Sequence, residues 1–228
     1  MSRAQLKTQA KQQLGGGIFD QNWLFFVVIE LIVSALISIV SGFTFAIGAI
    51  ILAGPLMFSV TFISMTLVRG AKQINLEDVF AGFKDGRFGQ TLVLFLMEEI
   101  FVFLWSLLFI IPGIIKSYAY KMAMYIYNDD NSKDWSTCLK ESQEMMRGHK
   151  WELFVLELSF IGWIIVGSLA FGIGTLWVNV YMQQTEANFY QALKGPVVTV
   201  DSTAEVKEEV TEAAPETTTE TTTEEAAQ

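Results

Sequence analysis

Six ionisable residues lie inside long apolar stretches of this chain: Glu30, Glu98, Glu99, Lys121, Glu157 and Glu186. Charged side chains are costly in a bilayer and face a bundle interior or a water-filled cavity when they occur there. Depth can be counted from the polar end of each stretch at about 1.5 Å per residue. Glu30, Glu98 and Glu186 then lie seven residues in, Glu99 eight, and Lys121 and Glu157 six. All six fall in one slab roughly 9–12 Å below the same face. Asn179, Gln183 and Gln184 extend it along the last stretch. Carboxylates held together in this way bind cations or relay protons. The expectation is a cytoplasm-facing polar vestibule in which Lys121 pairs with Glu98 or Glu99. The plainer alternative is that each acid is neutralised, or reaches an interface, without a shared cavity.

No other residue set carries chemistry as directly. Asp130, Ser132, Asp134, Ser136 and Glu141 have the spacing of a calcium loop, but Trp135 stands where the sharp turn needs glycine. His149, the single histidine, reads as an interfacial hydrogen-bonding residue. Cys138, the single cysteine, reads as a packed residue that can form neither an internal disulfide nor a cysteine cluster. Met122, Met124, Met145 and Met146 read as gap-filling residues. No G-x-S-x-G, H-E-x-x-H, phosphate loop or dinucleotide fingerprint occurs. The sequence therefore points to no catalytic residues, no metal, no cofactor and no enzyme.

The elements that must position the six residues are membrane helices. Of 228 residues 52% are hydrophobic and 17% charged, with a mean hydropathy of +0.40, and the long apolar runs suit membrane spans. The net charge of −9 is concentrated at one end: residues 201–228 hold nine acids and one base. The polar first 22 residues and the length of the first apolar run argue against a cleaved signal peptide.

Six spans are expected: 23–41, 45–68, 91–111, 114–127 extended back to Phe109, 151–171 and 175–193. Trp23 would anchor the first at the interface. Ser34, Ser38 and Gly42 would allow a neighbouring helix to approach it closely. Pro55 would kink the second. Pro112-Gly113 would form the turn between the third and the fourth, which is short and carries Lys116 and Lys121. With all six crossing, thirteen of the fifteen bases share a side with both termini, and the three short turns opposite hold none. The positive-inside rule makes that side the cytoplasm. The fold class is an all-α polytopic helical bundle of three hairpins, N-in and C-in.

Around the spans, residues 1–22 form a cytoplasmic amphipathic segment, helical over 2–14, ended by Gly15-Gly16-Gly17 and held to the surface by Arg3, Lys7 and Lys11. Residues 69–90 read as a polar loop. An amphipathic helix spans 135–147, with Asp134 as N-cap and Trp135, Cys138, Leu139, Ser142, Met145, Met146 and His149 on one side. Residues 194–228 read as a disordered acidic Thr/Glu-rich tail.

IPGIIKSYAYKMAMYI (111–126) and MMRGHKWELFVLELSFIGW (145–163) resemble the signature stretches of a bacterial integral-membrane family, domain of unknown function 975. Gly54-Pro55-Leu56, Phe171-Gly-Ile-Gly174 and Ala187-Asn-Phe-Tyr190 are similar to its pattern too, and the likeness covers residues 4–193. It implies a six-span protein of the bacterial cytoplasmic membrane and no established activity. Similar proteins carry a proline where this chain has Val180, so a kink there is not implied. The expected function is a non-enzymatic role in binding or assembling membrane or envelope components. The expected partners are the lipid bilayer, other membrane proteins or a second copy of the chain, and not nucleic acid. The alternative is a small ion- or proton-coupled transporter using the carboxylate and Lys121 layer. A lipid-acting enzyme has no motif behind it.

Overall fold

The computed structural model describes residues 2–17, 20–44, 47–169 and 173–195, and every regular element among them is helical. Residues 45–46, 170–172 and 196–228, the last holding the expected acidic tail, lie outside the described residues. The ten α-helices are α1 (Arg3–Gln13), α2 (Gln21–Thr44), α3 (Ile47–Val68), α4 (Arg87–Leu108), α5 (Ile110–Tyr120), α6 (Ala123–Asp129), α7 (Trp135–Met145), α8 (Lys150–Leu158), α9 (Ile161–Leu169) and α10 (Ile173–Lys194). A 3-10 segment, Leu76–Phe83, precedes α4.

Helix α3 is the centre. It packs against α2, α4, α6, α10 and the 3-10 segment, and it buries Leu56, Phe58, Ile63, Met65 and Leu67. Pro55 lies inside it, and the 3-10 segment seats there. The Gly82 amide donates to Ser59 Oγ (3.0 Å), which donates to the Pro55 carbonyl (2.9 Å). A Cβ on Gly82 would lie 2.1 Å from that carbonyl oxygen, so only glycine fits. Residues 76–83, expected to be polar loop, are thus folded into the bundle with Val79 and Ala81 buried.

Four stretches are long and apolar enough to cross a membrane: Gln21–Val40, Gly48–Val68, Arg87–Leu108 and Lys150–Leu169. They match the first, second, third and fifth expected spans. The last comprises α8 and α9, with Ser159-Phe160 between them. The fourth expected span is two short helices, and α10, although 22 residues long, carries too many polar groups to qualify. Large apolar side chains cover the outside of the bundle at Phe103, Leu107, Ile110, Trp163 and Val166, an exposure that a water-soluble surface does not tolerate in contiguous patches.

The turn between α4 and α5 is at Phe109, in extended conformation (φ −156°, ψ 137°), and not at Pro112-Gly113. Pro112 sits in the first turn of α5, where its missing N–H would be unpaired in any case. Gly113 serves helix contact instead: a Cβ there would meet Ser106 Oγ at 2.0 Å. Trp23 is buried against Tyr181, ring centroids 5.7 Å apart, and is no interfacial anchor. Ser34 and Ser38 are exposed.

Helix α1 begins with a capping box, Ser2 with Gln5. It docks on α10, burying Leu6, Ala10 and Leu14. Gln13 fastens it: its amide donates to Asn188 (3.0 Å), and its carbonyl accepts from Gln184 and Asn188, each at 2.8 Å. The expected surface segment is therefore part of the bundle, because its apolar face has a polar-spotted helix to pack on.

Candidate functional site

The site starts from a break in the helix. Helix α5 ends at Tyr120 and α6 begins at Ala123, leaving Lys121 and Met122 between them. The break leaves backbone groups to be satisfied, and α7 satisfies them. Ser142 Oγ donates to the Ala119 carbonyl (2.8 Å) and accepts from the Met122 amide (3.1 Å). Ser142 is fully buried, between Cys138 and Met146 on the buried side of α7. Asp134 caps α7, accepting from the hydroxyl and the amide of Ser136 and from Thr137 Oγ1. Those bonds hold the Asp134 carboxyl down at about 2. Burial pushes the Cys138 thiol up to about 11, so it is a packed thiol and no nucleophile.

Lys121 does not pair with Glu98 or Glu99, as expected, but with two other acids. Its Nζ lies 2.5 Å from Glu157 Oε1 on α8 and 3.2 Å from Glu186 Oε1 on α10. Tyr118, one helical turn before Lys121, donates its hydroxyl to Glu157 Oε2 at 2.6 Å. Lys121, still in helical conformation at the end of α5 (φ −53°, ψ −27°), continues the face that carries Tyr118, and α5 packs against α8. Glu30, on α2, accepts from Gln183 Nε2 of α10 at 2.7 Å. Glu98 and Glu99 have no hydrogen-bond or ion-pair partner among the described residues.

All six residues line one cavity of about 440 Å³. Helices α2, α3, α4, α5, α6, α8 and α10 contribute to its wall, and Gln183, Ser64, Thr61, Phe95, Met57 and Tyr125 are among the other lining residues. Among the described residues its acids and bases are five carboxyl groups and one amine, with the phenols of Tyr118 and Tyr125 beside them. Asn179 and Gln184 are not in the wall; Gln184 is turned to Gln13 and the Ser64 carbonyl. No three His, Cys, Asp or Glu side chains among the described residues gather closely enough to hold a metal ion. The arrangement can hold a positively charged guest or protons.

Tyr118 and Ser64 were not singled out in the sequence, and Ser142 was placed on one side of its helix without a role. Tyr118 had a signal, since a tyrosine three residues before a lysine shares its helix face. Ser142 had a weaker one, a hydroxyl in the apolar stripe of α7. Ser64 had none.

A second polar centre lies outside the cavity. Asp129, at the end of α6, pairs with Arg69 beyond α3 and with Lys194 of α10 (2.5 Å), and accepts from Tyr190 (2.6 Å). Burial raises its carboxyl, but the bonds from Lys194 and Tyr190 and the charges of Lys194 and Arg69 outweigh it and hold the group below its ordinary value. The calcium-type spacing is otherwise engaged: Asp130 accepts from the Ser132 amide and hydroxyl, and Glu141 pairs with Lys133. His149 Nδ1 lies 2.9 Å from Glu152.

A family model described as "Protein of unknown function (DUF975)" matches residues 1–117 and 108–196. No curated protein and no solved structure matches the chain.

Proposed function

The chain belongs to the DUF975 family of proteins of unknown function, and from that footing we propose that it is a six-span protein of the bacterial cytoplasmic membrane, both ends cytoplasmic, whose carboxylate cavity serves ion- or proton-coupled transport. One observation carries this reading: five acids from four helices and one lysine from the α5–α6 break line the same cavity. An acid left without a base inside a low-dielectric bundle is stable only when it holds a proton or a cation. Glu98 is such an acid, and it can load and unload, while its neighbour Glu99 is exposed. Of the two readings that the sequence raises, this one uses the site, and it needs no bond made or broken.

Six crossings follow if α5–α6 and α10 span together with the four apolar stretches. Their polar groups, Lys121, Gln183 and Glu186, turn to the cavity and not to lipid, which offsets the low apolarity of both segments. The distribution of bases supports the same topology.

The test is flux in proteoliposomes under imposed proton, sodium and potassium gradients, comparing the wild type with a folded Glu98→Gln/Glu99→Gln variant. Gradient-driven flux in the first and background flux in the second is expected. No flux in either overturns the transport reading.

A binding or assembly role has one observation of its own. A groove of about 630 Å³ between α1, α8 and α10 is lined by Arg3, Leu6, Trp151 and Phe189, with Trp151 exposed. Crosslinking in cells that recovers a partner from the wild type and not from Trp151→Ala would favour it.

A further inference from the structure

The cavity's unmet hydrogen-bonding capacity describes its guest, if the reading of the cavity as a cation site holds. Lys121 is engaged by Glu157 and Glu186, and Gln183 Nε2 by Glu30. What remains is mainly accepting. Glu98 and Glu99 are unpartnered; the Gln183 Oε1 atom is buried without a donor; and fully buried Ser64, in the same wall, has an unpartnered hydroxyl. A guest must therefore bring N–H groups, positive charge, or both.

Size and lining narrow the class. A volume of about 440 Å³ is that of a small-molecule pocket, and a bare ion would leave most of it to water. A chelated divalent ion is disfavoured, since no three carboxylates converge. Between the acids the wall is apolar and polarizable: Phe95, Tyr125, Met57, Met124 and Val60. Aromatic faces and thioethers attract ammonium groups and the alkyl or aryl body attached to them. Neutral apolar guests would leave Glu98 desolvated without compensation. We propose that the cavity binds an organic monocation, with its ammonium head beside Glu98 and Glu99 and its apolar body against Phe95 and Met57.

The experiment is calorimetric titration of the purified full-length protein in detergent with benzyltrimethylammonium. Benzyl alcohol serves as the body without the charge, and sodium as the charge without the body. One saturable site for the ammonium compound is expected, none for benzyl alcohol, and no displacement by a large excess of sodium. Glu98→Gln/Glu99→Gln should weaken binding by about tenfold or more, the factor that one charge-assisted contact is worth. Glu144→Gln, on the exposed side of α7, should leave it unchanged. If the double variant does not fold, Phe95→Leu keeps every charge and should still weaken binding severalfold. Absence of saturable binding to the folded protein, or equal binding by the cavity variants, overturns the proposal. If inorganic cations still cross liposomes while the ammonium compound does not bind, this inference alone falls. If neither occurs, the transport reading falls with it.

Discussion

Lys121 is the residue on which the polar layer turns. It is the only base in a wall of five acids, and it compensates Glu157 and Glu186 together. Replacing it with methionine leaves Glu186 buried without its base and Glu157 with the Tyr118 hydroxyl alone, an expected loss of about 3–5 kcal/mol in SDS-denaturation of the purified protein. Glu157→Gln should cost less, about 1–2 kcal/mol, because Lys121 keeps Glu186 and the Tyr118 hydroxyl keeps an acceptor. Equal losses would mean that Lys121 is not shared as described. Asp129 makes a pH prediction. Its carboxyl is held below the ordinary value of about 3.9, so its contribution is complete above that value and disappears as pH falls through the lower folded value. Asp129→Asn should lower the melting temperature at pH 7, and the gap to the wild type should narrow as pH falls below about 4; a constant gap would sink the idea. At this scale the sequence shows much of the site. Counting depth along apolar runs brings all six ionisable residues to one level, and the structure places them around one cavity. It does not show the pairing, because which acid meets Lys121 depends on which helices pack against its face of α5, a tertiary contact that no local pattern marks.

The break between α5 and α6 belongs to the scale of elements, and α7 maintains it. Ser142 reaches from α7 to the Ala119 carbonyl and the Met122 amide on either side of Lys121. Ser142→Ala leaves the buried amide without a partner, an expected loss of about 1–3 kcal/mol. It should also raise the amide exchange of residues 119–123 while the far hairpin, α9 with α10, stays as protected as before. Uniform loosening would argue against a local patch. Elements with a regular apolar period or a marked cap are legible from sequence: α2, α3, α4 and α7 lie close to their expected positions, the last with Asp134 as its cap. Elements set by tertiary contact are not. The 3-10 segment exists because Gly82 fits onto the Pro55 carbonyl. The turn shifted from Pro112 to Phe109 because proline is acceptable in a first helical turn and Gly113 is needed against Ser106. The docking of α1 depends on Gln13 finding Gln184 and Asn188, residues some 170 positions away.

For the whole molecule, apolar side chains face outward over α4, α5 and α9 while the carboxylates face one another inside. That inversion of the soluble pattern is what a bilayer demands. On the six-span topology proposed above, the polar cavity lies within the thickness of the membrane and opens on the side that carries the bases. Sidedness is the central claim, and accessibility of a single cysteine tests it most directly. Ser117 lines the cavity and is half-buried. A Ser117→Cys variant lacking Cys138 is treated with a membrane-impermeant thiol reagent in inside-out and in right-side-out vesicles. Reaction in the inside-out vesicles alone is the predicted result, and prior reaction there should abolish gradient-driven flux. Reaction only from the outer face, or flux untouched by complete labelling, would contradict the account.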